Sequence, residues 1–182
     1  MNEAIDPRLL AKEGSSTFHK GQYIDSAKAF QAARQGFETA GDWLSAAEMA
    51  NNCSVAYLKA EQAGNAMQEL EGIEELFAQA GDHCRQGMTV GNQAAALEAL
   101  GRFDEALLAY QRSAEILGIA GDDQLRATVL QSLSALQLRT GKQLQALVSM
   151  QQGIEGLKKP SPIQKMLKKM LVIPFDLVNK KR

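Results

Sequence analysis

Cysteine, proline and aromatic side chains are all scarce in this chain of 182 residues: two Cys, four Pro, and one Trp, three Tyr and six Phe. Two cysteines inside amphipathic segments, with no CxxC and no clustered histidines beside them, indicate neither a disulfide framework nor a zinc or redox motif. Cys53 and Cys84 are expected to act as small buried hydrophobes. No apolar run reaches the ~20 residues a membrane-spanning helix needs, and the opening "MNEAIDPRLL" shows no basic region followed by an apolar one. A cytoplasmic chain is expected. It is long enough to bury its own core without staples.

The catalytic vocabulary is also missing. There is no Walker glycine loop, no HExxH, no GxSxG and no pair of histidines at ligand spacing. "GKQL" at 141–144 lacks the upstream glycine and the Ser/Thr that phosphate binding requires. His19 and His83 read as surface or helix-end residues. His83, Cys84 and Arg85 are adjacent, so on a helix they point to different faces and do not form a thiolate site. The expectation is a protein that is not an enzyme and has no cofactor and no metal.

What the chain has in abundance is repetition. The tripeptide "AGD" occurs at 40–42, 80–82 and 120–122. On the same forty-residue offset a glycine recurs at Gly21, Gly101 and Gly141, and a small residue at Ser26, Ala66, Ala106 and Ala146. Large residues follow at Phe30, Leu70, Tyr110 and Met150, and again at Phe37, Phe77, Leu117 and Leu157. Offsets of four and seven put these columns on one helical face, so each period is two helices. Glycine past a helix end closes its C-terminus with φ > 0, and the aspartate after it accepts from the free N–H groups of the next helix. "AGD" therefore joins repeats, and the mid-period glycines turn the chain within one.

Helices are expected near 8–20, 23–39, 43–62, 66–79, 83–99, 103–119, 123–139 and 143–157. The second repeat departs from the pattern, with Glu61 where the period calls for glycine and Gly64 three residues later. A longer first helix and a later-starting second helix are expected there.

At this point the chain resembles a known family. "VGNQAAALEALGRFDEALLAYQRSAEIL", with small residues in its first helix, a Gly turn followed by an aromatic, and Ala106 and Tyr110 four apart, looks like a tetratricopeptide repeat. "KGQYIDSAKAFQAARQGF" matches well and "TGKQLQALVSM" more loosely, so the resemblance covers about residues 8–157. The period exceeds the family's usual ~34 residues, as in its longer-period members such as the soluble NSF attachment proteins, and the Gly–Asp junction stands where a proline commonly closes the repeat. The resemblance implies an all-α, right-handed superhelix (an α-solenoid) of four antiparallel helix pairs over residues 1–157, split at about 40, 80 and 120. It also implies a function: a scaffold or adaptor whose concave groove, lined by the first helices, holds a peptide or helix of a partner protein.

Two columns on those first helices stay largely polar: Lys12, Asn52, Asn92, Ser132, and beside it Ala11, Asn51, Gly91, Gln131. Lys12, Asn51, Asn52, Asn92, Gln131 and Ser132 are the candidate groove residues, since side-chain amides can hydrogen-bond an extended backbone without demanding a particular sequence. An exposed helical face must be polar in any case, and that reading stays open. The Lys/Asn carboxylate clamp of chaperone-binding relatives is not reproduced: Ala11 and Ser15 stand in the first repeat and Asn92 in the third.

The remaining feature is the end of the chain. Eight of the 20 Lys+Arg but one of the 21 Asp+Glu lie in residues 158–182, which gives that segment a net +7 and leaves the body at −8. A proline-containing linker, 158–162, precedes a basic amphipathic segment, 163–182, with Ile163, Met166, Leu167, Met170 and Leu171 on one side and Lys165, Lys168 and Lys169 on the rest. Three uses stay open: a packing element on the last repeat, an anchor on an anionic membrane surface, or a ligand for a partner or for the protein's own acidic surface near Glu71, Glu74 and Glu75. The alternative function is accordingly a peripheral membrane adaptor. Nucleic acid is not an expected partner, because an acidic body repels phosphates. A monomer or weak homodimer is expected.

Overall fold

The computed structural model describes residues 5–155 together with 157, 162, 165 and 166. Among the described residues the chain is all α, without strands, and its helices pack in consecutive pairs. In order they are α1 (Pro7–His19), α2 (Tyr23–Thr39), α3 (Trp43–Lys59), α4 (Ala63–Glu69), α5 (Ile73–Gln79), α6 (His83–Ala99), α7 (Phe103–Ala120), α8 (Asp123–Arg139) and α9 (Gln143–Glu155). Helices α4 and α5 are two halves of one broken helix. Each helix packs on the next along the chain except across the α4–α5 break, and α3 also packs on α5 and α6, α4 on α6, and α6 on α8.

The junctions form as the repeated tripeptide requires. Gly41, Gly81 and Gly121 all have positive φ. The carboxylates of Asp42, Asp82 and Asp122 accept from the backbone N–H groups of Ser45 (3.1 Å), Arg85 (2.9 Å) and Leu125 (2.9 Å). The backbone bond from Arg85 is the main influence that holds the Asp82 carboxyl below its ordinary value.

Inside each pair the helices cross at two small residues twelve apart: Gly14 and Ser26, Ser54 and Ala66, Ala94 and Ala106, Ser134 and Ala146, all buried. Close approach shows at both ends of the series. The Ser26 hydroxyl donates to the Gly14 carbonyl at 2.8 Å, and the Ser134 hydroxyl to the Ala146 carbonyl at 2.9 Å. A Cβ on Gly14 would sit 2.8 Å from the Phe30 ring. Around these crossings the large columns fill the core: Phe30, Leu70, Tyr110, Phe37, Phe77 and Leu117 are buried. Cys53 is fully buried, whereas Cys84 is only half-buried and lies 3.8 Å from Asp122.

The second repeat corrects the expectation drawn from Gly64. Helix α3 ends at Lys59, not near 62, and α4 starts at Ala63, so Gly64 lies inside the first turn of α4. Glu61 itself makes the turn, with φ of 59°. Its N–H bonds the Leu58 carbonyl at 3.1 Å and the Gln62 N–H bonds the Tyr57 carbonyl at 2.9 Å, the pattern that Gly21 and Gln22 make onto Phe18 and Thr17. The forty-residue geometry has held where its glycine was lost. The actual irregularity is at Gly72, whose φ of 72° divides α4 from α5. Glycine is a poor helix former, and the Leu70 carbonyl near the break takes a 3.5 Å hydrogen bond from the Gln93 side chain.

A side chain in the left-handed region costs roughly 1–2 kcal/mol, part of which is returned by the lower entropy of the unfolded chain relative to glycine. Glu61→Gly is therefore expected to stabilise the fold by about 0.5–1 kcal/mol, read as a higher urea midpoint at unchanged slope. A lower midpoint would contradict this account of the turn.

Candidate functional site

The first helices α3, α6 and α8 carry the polar columns on one side of the molecule, and the structure separates the two columns physically. Asn51 is buried, and its amide is spent inside the fold. Its Nδ2 donates to Thr89 Oγ1 at 2.9 Å, its Oδ1 accepts from Asn92 Nδ2 at 3.4 Å, and the Thr89 hydroxyl passes the chain on to the Arg85 carbonyl at 2.9 Å. Asn51 thus ties α3 to α6 and has no polar atom to spare for a ligand. Gln131, at the equivalent place on α8, is exposed.

The neighbouring column behaves differently. Asn52, Asn92 and Ser132 are each half-buried on successive first helices, and Lys12 on α1 is exposed. Ser132 directs its hydroxyl to the Thr128 carbonyl at 3.4 Å. Among the described residues Asn52 makes no side-chain hydrogen bond. It borders a cavity of about 180 Å3 among α1, α2 and α3, lined by Phe18, Phe30 and Val55 together with Ser15 and His19. Next to Asn92, Gly91 and Ala95 turn toward the interior: a Cβ on Gly91 would sit 3.1 Å from Ser113 Oγ, and Ala95 packs against the core cluster of α6, α7 and α8.

The electrostatics here are those of paired charges. Arg85 bridges Glu48 on α3 (3.2 Å) and its own cap Asp82 (2.6 Å), and lies over the Phe77 ring. Glu98 on α6 accepts from the Tyr110 hydroxyl at 2.9 Å and pairs with Arg139 on α8 at 3.0 Å. Burial, with Glu98 beside it, pushes the Tyr110 phenol up from its ordinary value. Burial likewise raises the Cys53 thiol, which keeps it from being a thiolate nucleophile. Among the described residues no three His, Cys, Asp or Glu side chains gather where a metal ion could be held. His19 and His83 are exposed, His83 at the start of α6.

A larger cavity, about 620 Å3, opens on the opposite side, between α7 and α9 over α8. Gln111, Glu115, Gln145, Val148 and Gln152 line it. The corresponding crevices in earlier repeats are bridged: Arg34 and Gln31 reach Glu69 at 3.0 and 2.6 Å, and Arg112 pairs with Glu74. Glu74 is thereby buried and engaged, and of the three acidic residues considered as a landing place for the tail only Glu71 and Glu75 are exposed.

No protein-family model matches the chain, and no curated protein is significantly similar to it.

Of the tail residues, Lys165 and Met166 are helical and exposed. Ile163, Leu167, Lys168, Lys169, Met170 and Leu171 lie outside the described residues. No helix among the described residues is long and apolar enough to cross a membrane.

The two adjacent asparagines make opposite predictions. Asn51→Ala leaves the Thr89 hydroxyl and the Asn92 amide short of a buried partner and is expected to cost about 1–3 kcal/mol. Asn52→Ala is expected to change stability by less than about 0.5 kcal/mol. Urea unfolding of both variants checks this, and equal losses would contradict the division of roles.

Proposed function

We propose that the chain is a non-catalytic adaptor of tetratricopeptide type. Its helix pairs form four repeats wound as a right-handed superhelix, and the groove along the first helices holds a segment of another protein, in the cytoplasm. The observation that carries this reading is the surroundings of Asn52. A half-buried amide with no hydrogen-bond partner among the described residues stands beside a small cavity lined by Phe18, Phe30 and Val55 together with Ser15 and His19.

That arrangement suits a peptide in a defined way. One large apolar side chain fills the space between Phe18, Phe30 and Val55, while the Asn52 amide, which offers two donors and an acceptor, meets the peptide backbone next to it. Along the row Asn92 and Ser132, whose amide nitrogen and hydroxyl already donate within the fold, add oxygen acceptors. Binding of this kind recognises an apolar anchor and an extended backbone, so the partner is expected to present an accessible segment with one large hydrophobe.

Selection of a displayed random-peptide library on the full chain tests the reading. Enriched peptides are expected to share one large apolar anchor and to compete with one another. They should lose about tenfold or more in affinity, ~1.4 kcal/mol, on Asn52→Glu and on Asn92→Glu, with the helical circular dichroism unchanged. Peptides that bind both variants as tightly as the parent would remove the groove from the account.

A further inference from the structure

The last described helix leaves bare a face that is buried on α2 and α7 and half-buried at Met67 on α4. Leu147 on α9 is 41% exposed, whereas its equivalents one and three periods earlier, Leu107 and Ala27, are 6% and 0% exposed. Those two are covered by the first helix of the following repeat. The Cys53 thiol of α3 lies 3.4 Å from the Ala27 carbonyl, and Leu107 packs in one cluster with Leu133 and Leu136 of α8. Leu144 and Val148 extend the exposed apolar surface of α9.

The period says what comes next. Helices α3, α6 and α8 begin at 43, 83 and 123, and forty further on is 163. Pro162 is helical in the structure and follows Ser161, a sequence suited to a capping hydroxyl before a proline in the first turn. From there two apolar residues fall on columns of the first helices that are buried in most repeats, whereas Ile163 and Val172 fall on the more open columns of Trp43 and Asn52. Met170 follows Ala50, Val90 and Leu130, which are all buried, and Ile173 follows Cys53 and Leu133, both buried, and Gln93, which is half-buried. Lys169 is the one charge that enters a largely covered column, that of Met49, Thr89 and Val129, and a lysine stem can lie on apolar surface with its ammonium in water. Pro174 ends the pattern, since proline does not fit a helix interior. Met166, like Leu147, is exposed, at 56%.

We propose that residues 163–173 dock on α9 as a further first helix, in the forty-residue register, with Ile173 set against Leu147. The occupant of the bare face is thus the chain's own basic segment. Met170 and Ile173 are then taken up by the fold, and its lysines are left as a charged outer surface.

The test uses the full chain. In a Cys84→Ser background, the double variant Leu147→Cys/Ile173→Cys is oxidised at low protein concentration. It is expected to form a disulfide within one chain, in the monomer fraction, about tenfold or more faster than Leu147→Cys/Lys168→Cys, because Lys168 falls in the exposed column of Glu48, Met88 and Thr128. Equal rates for the two pairs, or linkage only between chains, would overturn the proposal, the latter in favour of a second copy. Hydrogen exchange on the unaltered protein provides an independent reading. Amides 167–173 are expected to exchange about tenfold or more slowly than unstructured chain without any lipid. Protection that appears only with phosphatidylserine vesicles would assign the segment to a membrane surface instead.

Discussion

The crossing of paired helices at two small residues is the constraint from which the rest of this architecture follows. Helix axes normally approach to 8–10 Å, depending on the side chains at the contact. Here Gly14 and Ser26, Ser54 and Ala66, Ala94 and Ala106, and Ser134 and Ala146 keep that contact short. With the axes close, the residues four positions past the first three second-helix crossings, Phe30, Leu70 and Tyr110, wedge into the space beside them and are buried, and Met150 past the fourth is half-buried. Serine at a crossing satisfies its hydroxyl on a facing carbonyl, as Ser26 and Ser134 do, so it gains small size without leaving an unpaired polar group. Packing at interior density leaves no slack at such a point.

Between repeats a second set of contacts takes over, and it is polar. The Gly–Asp junctions cap α3, α6 and α8, while side chains 35 to 41 residues apart link neighbouring repeats: Arg34 with Glu69, Glu48 with Arg85, Asn51 with Thr89, and Glu98 with Arg139. Most of these pairs are partly exposed, and exposed ion pairs contribute little to stability. Asn51 is the exception, because it is buried and fully paired. The stacking of the second repeat on the third therefore uses the Asn51 amide together with the Asn92 Nδ2, and leaves Asn52 without a side-chain hydrogen bond among the described residues.

Much of this was legible in the sequence because the forty-residue offset superimposes equivalent positions. The junction caps and the large columns of the second helices stood out, since aspartate after glycine and a recurring aromatic or leucine are chemically distinctive. The small first-helix column, Gly14, Ser54, Ala94 and Ser134, lies on the same offset but mixes three residue types, and only its partner column on the second helices was recognised. The second repeat misled for a physical reason. A tight turn prefers glycine but tolerates Glu61 at a cost, so following the glycine to position 64 moved the turn by three residues, while the real break came at Gly72. Nor does a lone sequence separate Asn51 from Asn52. Adjacent amides look alike until a neighbouring helix covers one of them.

The most direct measurement of the crossing constraint is the urea unfolding free energy of Ala66→Leu, Ala106→Leu and Ala146→Leu beside Ala135→Leu, which lies on the exposed side of α8. Added bulk at a closed crossing is expected to cost about 1–3 kcal/mol in each of the first three, and the exposed substitution less than about 0.5 kcal/mol. If leucine were accepted at the crossings as readily as at residue 135, the close approach of paired helices would not be what organises this fold.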